Sequence, residues 1–210
     1  MATDLRLAQL LEHPAIWRGR SAARGATHST GFPALDEGLP GGGWPRAGLI
    51  EILTPRHGVG ELRLVMPLLA RLSLVQPARW ASWIAPPFEP YAPALAAQGL
   101  ALERQLVVRT ETPLWAMEQA LGSGACEVVL AWARRAQATS VRRLQLATER
   151  GRTPGFLFRA LSSAREASPA ELRLQFEPLA GGGCVRLLKS RGGTRERIEL
   201  HWESGPHEPA

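Results

Sequence analysis

Apolar positions along the chain follow two rhythms. Short runs that are continuous or alternate with a period of two are separated by stretches in which apolar residues recur every three to four positions. That pattern predicts strands alternating with helices. The first clear strand is Leu49-Ile50-Glu51-Ile52-Leu53. After a loop over 54–60, Leu62, Val65, Met66, Leu69 and Leu72 predict a helix from about 62 to 75. Pro67 removes one helical hydrogen bond, so this helix is expected to kink or start late. Residues 79–85 alternate as a strand, 91–100 read as a short helix ending at Gly99, and 105–109 as a short strand. Thr112 and Pro113 read as N-cap and first position of the next helix, with Trp115, Met117, Ala120 and Leu121 inward and Gly122 and Gly124 closing it. Residues 127–131 form a continuous apolar run that suits a buried strand of a parallel sheet. A helix over 139–150 is expected to bury Val141, Leu144, Leu146 and Ala147 and to expose Arg142, Arg143, Glu149 and Arg150. A strand at 155–160 follows, then a short polar connection at 161–168. Strands at 171–176, 184–190 and 195–202, joined by glycine turns, are expected to be antiparallel.

The fold class is therefore α/β: a mostly parallel central sheet flanked by helices, with antiparallel strands at the C-terminal end. Residues 1–28 form a separate arm, in which Leu5, Leu7, Leu10, Leu11 and Ile16 outline a short amphipathic helix interrupted at His13-Pro14. Two readings of the arm stay open: it docks on a partner, or it packs on its own core. Residues 203–210 read as a flexible polar tail.

Candidate chemistry sits at the first strand. A strand, a tight loop and a helix form the setting of a phosphate-cradling P-loop. The block from Ser29 to Leu64 resembles the opening of the RecA recombinase core, with its Ser29-Thr30-Gly31 start, Leu35-Asp36 pair, Gly41-Gly42-Gly43 turn and Leu49-Ile50-Glu51-Ile52 strand. The resemblance implies a RecA-like domain over 29–202. The catalytic positions depart from it. A working loop needs G-x-x-x-x-G-K-[ST], with Lys on the β/γ-phosphates and a hydroxyl on Mg²⁺. Here Thr54 replaces the first glycine, and after Gly58 and Gly60 stand Glu61 and Leu62. The family's water-activating Glu falls among Ala85, Pro86 and Pro87, and its Walker B Asp falls on Trp132. The expectation is a binding protein that is not an enzyme, with no cofactor and no metal. A divergent ATP-binding enzyme would need Arg56 or Arg63 to supply the missing cation.

Composition narrows the partners. With 210 residues and 45% hydrophobic residues, the chain can bury the core of one domain. It shows neither a signal peptide nor a bilayer-spanning apolar run, which predicts a cytoplasmic protein and no membrane partner. Cys126 and Cys184 lie in strand-like stretches and read as core thiols, and the five His are too scattered for a zinc site. The net charge of +6 suits a polyanion, although the dominance of Arg with abundant Ala, Gly and Pro also fits a coding bias. In RecA, DNA-binding loops follow the Walker B strand and the strand after it. Here those places carry Arg134 and Arg135 in one and Arg159 and Arg165 in the other. Lys189 and Arg191 match a basic pair that crosses a protomer interface in that family. These six residues are candidate DNA or partner contacts, for weak, non-specific binding to phosphates; the alternative is a set of solvated surface charges.

Ile16-Trp17-Arg18-Gly19, the STGFPALDEGLPGGGWP block and Gly60-Glu61-Leu62 resemble more particularly the ImuA family, which is related to the SulA cell-division inhibitors. The ImuA resemblance implies a non-catalytic accessory factor of SOS-induced translesion DNA synthesis. Its partners would be an ImuB-like Y-family polymerase homologue and an error-prone polymerase, with RecA and DNA as further candidates. The SulA resemblance implies instead binding to the tubulin-like division protein FtsZ.

Overall fold

The computed structural model describes residues 26–190 and 197–202. The amphipathic segment around Leu5 to Ile16, Arg191 and the tail over 203–210 lie outside them. The described strands are β1 (Thr27–His28), β2 (Trp44–Pro45), β3 (Leu49–Thr54), β4 (Trp80–Ile84), β5 (Gln105–Val108), β6 (Cys126–Trp132), β7 (Gly155–Ala160), β8 (Leu172–Leu179), β9 (Gly182–Lys189) and β10 (Arg197–His201). The helices are α1 (Pro33–Gly38), α2 (Met66–Ser73), α3 (Ala92–Ala97), α4 (Pro113–Ser123) and α5 (Ala138–Gly151). Strands β1 and β2 make a small antiparallel ribbon. The other eight form one mixed sheet in the order β10-β9-β8-β3-β7-β6-β4-β5.

Strands alternate their side chains between faces. On β3, Ile50 and Ile52 join the core beneath α1 and α2, whereas Leu49 joins the core beneath α4 and α5. The sheet is thus covered on both sides, which is why its central strands read as unbroken apolar runs. The antiparallel expectation holds: β8 pairs antiparallel with β9, and β9 with β10. Strand β8 runs parallel to β3, because the chain from β7 returns along the sheet through a 3-10 turn, Leu161–Arg165, before entering β8.

Helix α2 begins at Met66, with Pro67 in its first turn, after a separate 3-10 turn at Glu61–Leu64. A proline there costs no helical hydrogen bond, so the helix starts late rather than kinking. The same proline explains Gly31. That residue sits at φ 90°, and a Cβ on it would lie 2.4 Å from Pro67 Cβ. The surrounding Ser-Thr-Gly turn is tied down by Asp36, whose carboxylate accepts from the Thr30 N–H at 2.7 Å and the Ser29 hydroxyl at 2.6 Å.

Three helical assignments are corrected. Thr112 does sit at the N-cap of α4, but its hydroxyl makes no cap bond and lies 3.2 Å from the Thr110 hydroxyl. Trp115 is 60% exposed, so α4 buries only Met117 and Leu121. On α5, Leu146 is 47% exposed and the polar Gln145 and Thr148 take inward places. Gln145 is needed there because its Oε1 accepts the N–H groups of Leu49 at 3.1 Å and Glu171 at 3.2 Å, where β3 and β8 begin. A buried backbone donor without a partner would cost more than a leucine gains.

Candidate functional site

The parallel strands present their C-terminal ends along one edge, where open α/β sheets place their binding crevices. Strand β3 ends at the buried Thr54, and the chain loops to the 3-10 turn at Glu61. Strand β4 ends at Ile84, passes through Ala85 in a left-handed conformation (φ 50°), and continues as Pro86-Pro87-Phe88-Glu89-Pro90 into α3. Between these two connections lies a cleft of about 250 Å³. Its walls include Trp83, Trp132, Pro87, Phe88, Tyr91 and Leu95. Phe88 is 64% exposed and Tyr91 67%, so two large rings stand in water at the rim.

The floor is aromatic where the RecA resemblance expected acids. Trp132 stacks on Phe158 with ring centroids 4.7 Å apart and 11° between planes, and on Trp83 at 6.2 Å and 14°. The Trp83 indole N–H donates to Gln105 Oε1 at 2.9 Å. Three neighbouring strands therefore fill this region with stacked rings. Glu89, the acid closest to the position of the family's base, is exposed and paired with Arg109.

The loop after β3 closes on itself. The Gly58 N–H donates to Glu61 Oε1 and the Val59 N–H to Glu61 Oε2, both at 2.9 Å. The Glu61 side chain is buried. Of the two candidate substitute cations, Arg56 is exposed and Arg63 holds its guanidinium over the Trp202 ring, 5.8 Å from the centroid.

The candidate contact residues divide. Arg134, Arg135 and Arg165 are exposed in the connections that follow β6 and β7. Arg159 is corrected: it is 2% exposed and donates to Glu51 Oε1 at 2.8 Å, Glu166 Oε2 at 2.8 Å and the Ala136 carbonyl at 3.2 Å. Lys189 is tied down by donating to the Ser168 and Ala170 carbonyls at 2.7 Å each, and so braces the crossover into β8. The residues missed in the sequence are Arg173 and Glu166. Arg173 Nε lies 3.0 Å from Glu51 Oε2, and its Nη atoms donate to the carbonyls of Ser163 and Glu166 at 2.5 Å. An acid inside the apolar run of β3 was the available signal, since a buried carboxylate requires a partner.

Both cysteines are buried and free. Burial pushes the Cys126 thiol up, opposed by its contact with the Ser82 hydroxyl and by Arg79. No helix among the described residues is long and apolar enough to cross a membrane.

The family model described as "Cell division inhibitor SulA" matches residues 51–155, half of the chain. The chain is 33% identical over 114 residues to the cell division inhibitor SulA of Photorhabdus laumondii, a match covering 53% of this chain and 63% of that protein. It is 33% identical over 109 residues to SulA of Yersinia pestis strain Pestoides F, covering 50% and 64% respectively. The chain thus spans under two thirds of the length of these curated relatives. The crystal structure of SulA from Pseudomonas aeruginosa aligns at 28% identity over 53% of this chain and 97% of that one, with a TM-score of 0.45. The family match and the curated relatives correct the functional expectation. The translesion role drawn from the ImuA resemblance falls, and with it fall the ImuB-like homologue, the error-prone polymerase, RecA and DNA as partners. Arg159, one of the arginines behind the DNA reading, lies in the core. By the match over residues 51–155, the chain belongs to the SulA family of cell division inhibitors.

Proposed function

We propose that this protein is a non-catalytic inhibitor of cell division that acts in the cytoplasm after DNA damage by binding FtsZ and blocking its assembly. One observation carries the reading: every residue lining the cleft falls inside the segment that matches the SulA family. The partner's contact would be an apolar segment seated between Phe88 and Tyr91, because exposed rings beside a mainly apolar cleft gain most from leaving water. The absence of catalysis belongs to the same proposal. It is supported by Glu61 in place of the loop lysine and by the Trp132 stack where a metal-holding Asp would stand. The finer fold reading, a RecA-like core, is supported by the central place of β3 and by the antiparallel pairing of β8, β9 and β10 at one end of the sheet.

The test is sedimentation of FtsZ polymers with GTP and stoichiometric amounts of this protein. Polymer is expected to fall with the wild type, and Phe88→Ala/Tyr91→Ala is expected to weaken inhibition at least about tenfold while the variant stays folded. Unchanged FtsZ polymer with the folded wild type would sink the reading. Full inhibition by the double variant would move the contact away from the cleft.

A further inference from the structure

Successive backbone N–H groups that converge at a turn form an anion nest, and phosphate loops are built on this principle. Here the loop has such a nest, and it is occupied. The N–H groups of Gly58 and Val59 each meet one oxygen of the Glu61 carboxylate. The geometry needs the glycines: Gly58 at φ 80° and Gly60 at φ 101° reverse the chain tightly enough for an acid two and three residues onward to cap its own loop. Among the described residues no guanidinium pairs with Glu61, and the nearest ionisable neighbour in contact is the His57 imidazole, whose Nδ1 lies 4.0 Å from Oε1. The carboxylate is therefore held mainly by N–H dipoles, as a bound oxyanion would be.

We propose that the loop is an anion site whose resident ligand is Glu61 itself. The acid supplies in cis the negative oxygens that a carboxylate or phosphate would bring from solution. The loop then keeps its occupied shape without a ligand, and one wall of the cleft, formed by Gly58, Gly60 and Glu61, is fixed in advance. The inference stands whether or not the cleft receives FtsZ.

The experiment uses the full chain with Glu61→Ala and Glu61→Gln. Amide hydrogen exchange at Gly58 and Val59 is followed by NMR, in chloride and then in acetate or inorganic phosphate at matched ionic strength. In Glu61→Ala, exchange at both amides is expected to accelerate at least about tenfold. Acetate or phosphate should restore protection saturably in this variant and leave the wild type unchanged. Glu61→Gln, which keeps one acceptor, should fall between the two. Wild-type exchange in Glu61→Ala would overturn the proposal. So would lost protection that no anion restores, because the side chain would then act by packing alone. If Glu61→Ala does not fold, Glu61→Gln decides: faster exchange at the two amides supports the nest, and wild-type rates overturn it.

Discussion

Glu51 and Glu61 are both removed from water, and the molecule satisfies them by opposite means. Glu51 lies within β3, between β7 and β8, and is met by two guanidiniums brought from those strands, Arg159 at 2.8 Å and Arg173 at 3.0 Å. Glu61 lies at the end of a loop and is met by two backbone N–H groups. The difference follows from where backbone donors are free. Inside a sheet every N–H is spent on the ladder, so a buried acid there needs side-chain cations. In a loop with positive-φ glycines the N–H groups are available and can point together. The two solutions also differ in reach. The Glu51 cluster binds distant segments, because Arg159 also holds Ala136 and Glu166 while Arg173 holds the Leu161–Arg165 turn. The Glu61 nest is local to a few consecutive residues.

The largest expected effect tests that difference directly. Glu51→Ala leaves two guanidiniums buried without their carboxylate and should cost about 3–5 kcal/mol, read from urea unfolding. A loss under about 1 kcal/mol would break the comparison, since the cluster would not depend on its central acid. Glu61→Ala strands two neutral N–H donors that water can reach once the side chain is gone. Its cost should be smaller, about 1–2 kcal/mol by the same measurement.

A third group sharpens the contrast, because it is kept neutral rather than paired. Burial, with Arg46 and Arg71 nearby, lowers the His28 pKa from 6.5 to about 4. The unfolded chain takes up this proton below about pH 6.5 and the folded chain only near pH 4. Its contribution is therefore full above pH 6.5 and is lost as pH falls through that window. The loss should be on the order of 1 kcal/mol after allowance for partial exposure. Unfolding titrations at pH 7 and pH 4.5 should show a larger acid loss for the wild type than for His28→Gln; equal losses would remove His28 from the account. The smallest effect belongs to the exposed arginines. Arg134→Ala, Arg135→Ala and Arg165→Ala should each change stability by no more than about 0.5 kcal/mol. Arg159→Ala in the same experiment should cost several times more.

Element positions were legible where periodicity and punctuation agreed. Gly155–Ala160 stands as read, and the late start of α2 follows from Pro67. Side-chain roles were less legible where a polar residue serves a distant backbone. Leu146 and Gln145 are neighbours on α5, and hydropathy alone puts the leucine inside. The amide oxygen of the glutamine goes there instead because it accepts the N–H groups of Leu49 and Glu171. The loop after β3 was readable as a departure from a phosphate loop. That its acid would fold back onto Gly58 and Val59 depended on glycine dihedrals that residue names permit without imposing.

The sequence by itself determined the alternation of strands and helices, the continuous apolar runs of the central strands and the replacement of the loop lysine by Glu61. These are local properties, set by period, turn chemistry and residue type. Only the tertiary structure decided that β8 runs parallel to β3, that Arg159 points into the core onto Glu51, and that Trp83, Trp132 and Phe158 stack under one cleft. Each of those joins residues far apart in the chain. Whether an arginine binds a partner or a buried acid depends on what neighbouring strands bring within about 3 Å, and that distance exists only once the sheet has formed.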